Sequence, residues 1–307
     1  MGRAILTRVA TIVASGAAIA AIVIPGIAAT EVASPPAKAH GTSRTEIPVK
    51  AGKKYVALGS SYAAGPDVSP IVDVPCLRTG NDYPHQVAAA ARMRLTDASC
   101  SGATSANVFT KPQRPATVPQ IDAVTRDTYL VTITVGGNDI DYIGRVTSLS
   151  CGNILPAHAG FAKCGHRRHI RPEPGPAAYA AVEKSLTGLI RAVRARAPHA
   201  RILVVDYLPV LDARATVCAK VPLTPAEAAQ TVRVAGGLAR ATAAAVRATG
   251  AQLVRASKAG AAHTVCSPQP WLYGFKFPAP YHPNPSGKAA VARLVLDALR
   301  TPPSQVS

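Results

Sequence analysis

Acidic residues are scarce in this chain of 307 residues: 16 Asp and Glu stand against 34 Lys and Arg, which gives a formal net charge of +18. Such an imbalance favours anionic partners, such as a phospholipid-rich cell envelope or an acidic substrate. Nucleic acid is the rival anionic partner, but the sequence contains no binding motif for it and its basic residues are spread widely. We therefore expect contact with an anionic envelope surface and no nucleic-acid partner.

Cysteine and metal-ligand patterns are also sparse. The first cysteine is Cys76, so nothing near the N-terminus could carry a lipid anchor on cysteine. Cys164, His166 and His169 lie close together but lack the ligand spacing of a zinc finger or a zincin. No internal repeat is visible. We expect neither a metal nor a cofactor.

The N-terminus has the features of a secretory signal peptide. Arg3 and Arg8 precede an apolar run from Val9 to Ile24, and a Pro-Gly pair and small residues follow it. Cleavage after Ala28 is expected, which makes the protein extracellular. An uncleaved membrane anchor is the alternative, since the apolar stretch is just long enough to span a bilayer.

The rest of the chain divides into a short leader and one domain. Residues 29–50 predict a linker or a disordered mature N-terminus, and residues 51–303 predict a single domain. Apolar runs predict buried strands over residues 54–58, 129–135, 201–207 and 252–255. Amphipathic segments predict helices over residues 83–93, 176–197 and 225–248, and a last helix that opens at Asn284-Pro285. We expect a three-layer α/β/α fold with a central, mostly parallel sheet, of the flavodoxin-like kind.

One stretch of this domain departs from the alternation. Residues 140–175 contain several Pro and Gly residues and predict an irregular segment with a disulfide of its own. The segment either flanks or covers the functional site, or it forms a stapled surface loop.

Three segments end in residues suited to acyl-transfer chemistry. The first strand breaks at Gly59 into Ser60 and Ser61, and a Gly-Pro pair follows, so a serine hydroxyl is exposed on a tight strand-to-helix turn. The second strand ends in Gly136-Gly137-Asn138-Asp139, and Tyr281-His282-Pro283-Asn284 places a histidine just ahead of a helix. A nucleophile, an amide donor and a base are what acyl transfer requires.

These segments resemble the conserved blocks of the SGNH (GDSL-like) hydrolases, and particularly the secreted actinobacterial lipases and esterases of that family. Gly59-Ser60-Ser61 resembles the Gly-Asp-Ser block, which places the nucleophile on Ser61. Ser60 as the nucleophile and Ser61 as a helix N-cap are the alternatives. The four blocks occur in the family's order over about residues 53–300.

The resemblance also implies an oxyanion hole and a base. Gly102, within Ser101-Gly102-Ala103-Thr104, resembles the second block, Asn138 lies in the third and His282 in the fifth. The Ser61 N–H, the Gly102 N–H and the Asn138 amide would then donate to the oxyanion. Asn138 could instead be a turn residue, and His282 a packed loop histidine.

The sequence departs from the family pattern at Ala279, where the family usually has an Asp three residues before the histidine. We expect a Ser–His dyad in which Nδ1 of His282 bonds a main-chain carbonyl, that of Ala279. A distant acid that completes a triad, or an enzyme of weak activity, is the alternative.

Six cysteines in an exported chain predict disulfides, and fifteen pairings are possible. The resemblance to the family implies the sequential pairs Cys76–Cys100, Cys151–Cys164 and Cys218–Cys266.

Aromatic residues crowd the loop that leads to His282. They are Trp271, Tyr273, Phe275, Phe277 and Tyr281. The first four could form the wall of an apolar acyl pocket. Alternatively, they pack the loop against the domain.

Together these features predict a secreted, monomeric carboxylic-ester hydrolase that acts on lipid or fatty-acyl esters. A carbohydrate O-acyl esterase of envelope or plant polysaccharide is a second hypothesis. A non-catalytic, cationic cell-wall-binding protein on the same fold is a third, since the Asp is missing and the charge is high.

Overall fold

The computed structural model describes residues 49–154, 170 and 172–301. The predicted signal peptide and nearly all of the predicted linker lie outside the described residues, as do Cys164, His166 and His169. Over the described residues, no helix has the length and apolar character needed to cross a bilayer.

A five-stranded parallel sheet forms the centre of the domain. Its strands are β1 (Lys54–Gly59), β4 (Arg94–Asp97), β5 (Thr128–Thr134), β6 (Arg201–Val205) and β7 (Gln252–Val254), in the order β4-β1-β5-β6-β7. All four strand pairs are parallel. The chain reverses its direction of winding at β1, so β1 and β5 flank the point where open α/β sheets place their ligands.

Eight helices accompany the sheet in the described part of the chain. They are α1 (Ser61–Ala64), α2 (Tyr83–Ala91), α3 (Ser105–Phe109), α4 (Tyr142–Ile154), α5 (Pro176–Arg196), α6 (Pro225–Arg247), α7 (Ala256–Ala259) and α8 (Pro285–Arg300). Helix α2 packs against α8, whereas α5 packs against α3 and α6, so helices cover the sheet on both faces. The predicted three-layer α/β/α class is confirmed.

Local sequence signals account for the helix starts. The side chain of Thr224 caps α6 in a capping box with Glu227, and Pro225 is the first helical residue. Asn284 caps α8 by accepting a hydrogen bond from the main-chain N–H of Gly287. The first turn of α8 is therefore fixed directly after the segment that carries His282.

The prediction of an irregular segment over residues 140–175 is wrong for its first part, because α4 occupies Tyr142–Ile154. Buried Tyr142, Val146 and Leu149 recur at helical spacing and face the core. Most of the Pro and Gly residues that suggested a loop lie after this helix.

A small antiparallel hairpin of β2 (Ile71–Asp73) and β3 (Arg78–Thr79) was not predicted. It follows α1, and the Cys76–Cys100 disulfide joins it to the chain that leaves β4. A second disulfide joins Cys218 and Cys266. Both pairs confirm the predicted pairing. Cys151 is disulfide-bonded as well, and its predicted partner Cys164 lies outside the described residues.

Candidate active site

The strand-to-helix turn after β1 brings two serines to the carboxyl edge of the sheet. Gly59 ends β1 so close to β5 that a Cβ atom there would lie 2.6 Å from the carbonyl oxygen of Thr134, which only glycine avoids. Ser60 follows in an extended conformation, and Ser61 is the first residue of α1. Ser61 is half-buried, so its hydroxyl lies at the edge of the sheet rather than in the core.

The hydroxyl of Ser60 is buried and takes part in hydrogen bonds with two neighbouring residues. Its side chain is 1% exposed, and its Oγ lies 2.9 Å from the hydroxyl of Tyr207. The Ser60 hydroxyl donates its one proton to the Thr134 carbonyl at 3.4 Å, so in the contact with Tyr207 the phenol hydroxyl is the donor. The Tyr207 oxygen also accepts a hydrogen bond from the Gly137 N–H at 3.1 Å. Ser60 therefore braces the ends of β1 and β5.

Ser61 instead contacts a histidine from the far end of the chain. The Nε2 of His282 lies 2.8 Å from the Oγ of Ser61, and its Nδ1 lies 2.9 Å from the carbonyl oxygen of Pro280. A carbonyl can only accept, so Nδ1 carries the proton and Nε2 presents its lone pair to the Ser61 hydroxyl. This tautomer is the one that a general base for Ser61 requires.

The environment of His282 keeps the imidazole neutral. Burial, with a smaller contribution from the nearby ammonium of Lys288, lowers the pKa of His282 to about 4, although the bond to Pro280 acts in the opposite direction. The ring is therefore in its neutral form, with a lone pair on Nε2, at pH values well above 4.

The predicted carbonyl is wrong by one residue. Nδ1 of His282 bonds Pro280, whereas the carbonyl of Ala279 accepts the main-chain N–H of His282 at 3.3 Å. The difference arises at Tyr281, whose φ of +62° lies in the left-handed region. This backbone turn brings the carbonyl two residues before the ring within reach. Among the described residues, no carboxylate is bonded to Nδ1 of His282.

Tyr281 is held in this conformation at both ends. Its carbonyl accepts the hydroxyl of Tyr62 at 2.8 Å, and its own hydroxyl lies 2.5 Å from Oγ of Ser150 in α4. The side chain is fully buried. The ring of Tyr62 also lies 5.6 Å from the imidazole of His282. Tyr62, the residue after Ser61, thus positions Tyr281, the residue before His282.

Backbone bonds bring the other two predicted blocks to the same edge. The N–H of Cys100 donates to Gly59 at 3.0 Å, and the N–H of Ser60 donates to Thr134 at 2.9 Å. These bonds place the turns after β4 and β5 on either side of the turn after β1. Gly102 has a φ of +84°, which favours glycine.

Asn138 ties the third block to the second. Its Nδ2 donates to the carbonyl of Ala103 at 2.8 Å, which uses one of the two amide hydrogens. Asp139 accepts hydrogen bonds from the main-chain N–H and the hydroxyl of Ser105, and so holds the start of α3. The turns that carry Gly102 and Asn138 are therefore bonded to each other and lie beside the turn that carries Ser61.

A buried ion pair near His282 was missed by the sequence analysis. Lys288 and Asp67 have side chains that are each 1% exposed, and Nζ lies 2.7 Å from the carboxylate. Asn81 and Thr79 accept the other two ammonium protons at 2.8 and 3.2 Å. The pair joins α8 to the chain that follows α1. The signal that could have found it is a lysine on the apolar face of α8, three residues before buried Val291.

The aromatic residues before His282 mostly pack the loop itself. Trp271 stacks on His263 with ring centroids 4.0 Å apart, and Phe275 packs against both Phe277 and Tyr281. Phe277 is the exception, with 49% of its surface exposed. A role of Trp271, Tyr273, Phe275 and Phe277 as the wall of an acyl pocket stays a prediction.

A parallel α/β fold with a serine–histidine contact at its switch point defines a candidate serine hydrolase. Residues 57–290 match the GDSL-like Lipase/Acylhydrolase family. The chain is 35% identical to Lipase 2 of Streptomyces coelicolor over 257 residues. The aligned stretch covers 80% of this chain and 85% of that protein. The chain belongs to the GDSL-like lipase and acylhydrolase family and is an ester hydrolase.

Solved structures agree with this assignment. The crystal structure of an extracellular lipase from Streptomyces rimosus is similar with a TM-score of 0.60 and 26% identity, over 80% of this chain and 100% of that one. The crystal structure of phospholipase A1 from Streptomyces albidoflavus is similar with a TM-score of 0.63 and 25% identity, over 81% of this chain and 100% of that one. Membership of a family of ester hydrolases counts against the hypothesis of a non-catalytic wall-binding protein.

Proposed function

We propose that this protein is a secreted hydrolase of fatty-acyl esters that works through a Ser61–His282 dyad. One observation carries the proposal: Nε2 of His282 lies 2.8 Å from Oγ of Ser61 while Nδ1 bonds the Pro280 carbonyl. The similarity to two lipases and a phospholipase A1 supports the fatty-acyl part of the substrate. The two disulfides between described cysteines accord with an extracellular protein.

In the proposed mechanism, His282 takes the proton of Ser61 as the hydroxyl attacks the ester carbonyl. The tetrahedral intermediate places its negative oxygen toward the Ser61 N–H, the Gly102 N–H and the Asn138 amide. Ser61 opens α1, and the first N–H groups of a helix have no partner within the helix. Protonated His282 then donates to the leaving alcohol, which leaves an acyl group on Ser61.

Deacylation uses the same groups in reverse. His282 accepts a proton from a water molecule, the resulting hydroxide attacks the acyl carbonyl, and the proton returns to Ser61 as the carboxylic acid leaves. The Pro280 carbonyl stabilises the imidazolium less than a carboxylate would. It still fixes the tautomer and the orientation of the ring throughout the cycle.

Substitution of the two neighbouring serines tests the proposal. Ser61→Ala should lower kcat/KM for a p-nitrophenyl ester by a factor on the order of 10⁴ or more, because the nucleophile is lost. Ser60→Ala is the matched control: it removes the buried brace to Tyr207 and should keep most of the activity. If the two results are exchanged, Ser60 is the nucleophile and the proposed dyad is wrong.

A further inference from the structure

The β2–β3 hairpin, residues 68–79, exposes an unusual amount of apolar surface. Half of the large apolar side chains that are exposed in the described part of the chain lie within ten consecutive residues. They are Val68, Ile71, Val72, Val74 and Leu77, which are 80%, 43%, 58%, 70% and 47% exposed. Isolated exposed valines are ordinary, but a contiguous apolar patch marks a surface that meets a partner or a membrane.

The exposure does not come from a loosely held loop. The hairpin is fixed by the Cys76–Cys100 disulfide, and the guanidinium of Arg78 lies 2.6 Å from the carboxylate of Asp73. Thr79 donates from its hydroxyl to the carbonyl of Gly65 at 2.8 Å, which joins the hairpin to the end of α1. The patch is therefore held outward by a rigid base.

The hairpin lies beside the proposed oxyanion segment. The carbonyl of Cys76 accepts the N–H of Ser101 at 3.0 Å, next to Gly102. The carbonyl of Ser101 in turn accepts the side-chain amide of Gln113 at 2.8 Å. An aggregate that meets the hairpin would thus present its molecules at the edge of the sheet where Ser61 lies.

Charge indicates which kind of surface the hairpin meets. The one acid between residues 68 and 79, Asp73, is neutralised by Arg78. The neighbouring loop over residues 111–118 carries exposed Lys111 and Arg114 and no acid, and the chain as a whole has a formal net charge of +18. Apolar side chains beside cations match an anionic lipid surface, whose acyl region takes the former and whose headgroups attract the latter.

We propose that the 68–79 hairpin docks the enzyme on anionic phospholipid surfaces, so that the esters it hydrolyses are taken from aggregated lipid. This inference rests on the proposed function for the hydrolytic step alone; docking itself requires no chemistry. The hairpin is then a substrate-delivery surface, separate from the residues that react.

Vesicle binding by a chemically inactive protein tests the docking. The protein with Ser61→Ala should co-sediment with vesicles of phosphatidylglycerol and phosphatidylcholine, and more weakly with phosphatidylcholine alone or at high salt. Adding Val68→Ser and Val74→Ser should weaken binding by about tenfold or more, because two exposed valines no longer enter the acyl region. Val217→Ser removes a valine that is 40% exposed on another loop, and should leave binding within about twofold.

Activity on a dissolved ester separates docking from catalysis. In a chain with Ser61 intact, Val68→Ser with Val74→Ser should leave kcat/KM for dissolved p-nitrophenyl butyrate unchanged. Absence of vesicle binding, or equal binding by the double variant, would overturn the docking. Loss of activity on the dissolved ester by the double variant would also overturn the docking, since the hairpin would then serve the fold. So would a dimer in sedimentation velocity that the two substitutions dissociate, since the hairpin would then bind a second copy of the chain. If the unaltered chain does not hydrolyse the dissolved ester, the proposed function fails while the vesicle result still decides the docking.

Discussion

The Oγ of Ser61 and the Nε2 of His282 lie 2.8 Å apart, yet two different kinds of structure hold the two residues. Ser61 follows a buried parallel strand, and its turn is fixed by main-chain bonds to the neighbouring strands. His282 lies in a loop whose shape depends on side chains from α1 and α4, at separations of 219 and 131 residues. Ser61, the proposed nucleophile, is thus placed by the sheet, whereas His282, the proposed base, is placed by a few long-range hydrogen bonds.

Asn138 follows strand β5 and so belongs to the side of this comparison that the sheet supports. Among the variants that compare the two sides, removal of its amide should have the largest effect. Asn138→Ala should lower kcat by about 10²–10³, because one donor to the oxyanion is lost. KM should change little, since the amide acts mainly in the transition state. Steady-state kinetics on a p-nitrophenyl ester provide the measurement.

Asn153→Ala is the control for the same chemical change. The Asn153 amide is exposed and bonds Glu227 and Pro222, away from the Ser61 contact. Its activity should be that of the unaltered chain. Equal activity of Asn138→Ala and the unaltered chain would make Asn138 a turn residue only.

The loop that carries His282 should respond more moderately to the loss of the Tyr62 hydroxyl. Tyr62→Phe keeps the ring beside His282 but leaves the Tyr281 carbonyl without its bond from Tyr62. We expect kcat to fall by about tenfold, because the ring of His282 is less well positioned. The acid limb of the pH–rate profile should also move to higher pH, because water that reaches the imidazole raises the pKa of His282.

Tyr207→Phe makes the same change on the sheet side. It removes the bonds to Ser60 and Gly137, but main-chain bonds still hold Ser60 to Thr134. Tyr207→Phe should lower the free energy of unfolding and leave the pH–rate profile unchanged. If Tyr207→Phe shifts the pH–rate profile and Tyr62→Phe does not, His282 depends on the sheet-side hydroxyl of Tyr207 rather than on the bond between Tyr62 and Tyr281.

How far sequence reasoning succeeds follows the same division. The strands come from local periodicity, and the turns that carry Ser60, Ser61 and Asn138 can be seen in the chain. The choice of Ser61 over Ser60 came from the resemblance to the family. The acceptor for His282 was misplaced to Ala279 because the left-handed conformation of Tyr281 depends on partners far away in sequence. The Lys288–Asp67 pair and the outward hairpin were missed for the same reason, since each depends on tertiary contacts.

The smallest effect concerns pH. With the pKa of His282 lowered to about 4 by burial, kcat/KM should fall by less than about twofold between pH 7 and pH 5. A histidine at its ordinary pKa of 6.5 would lose more than tenfold over that range.

The same shift affects stability. Between pH 6.5 and about 4, the unfolded chain protonates this histidine and the folded chain does not. The contribution of His282 to stability therefore decreases as the pH falls through that window. In the pH–rate profile, an acid limb near pH 6.5 would instead show that the His282 ring is exposed to water.

Covalent labelling tests the Ser61–His282 dyad most directly. A fluorophosphonate is attacked only by an activated serine, so tryptic mass spectrometry of the treated protein reports which hydroxyl the histidine activates. We predict one phosphonyl group on Ser61, none on Ser60, and almost no labelling after His282→Gln. Labelling of Ser60, or labelling of Ser61 that persists undiminished in His282→Gln, would contradict the dyad.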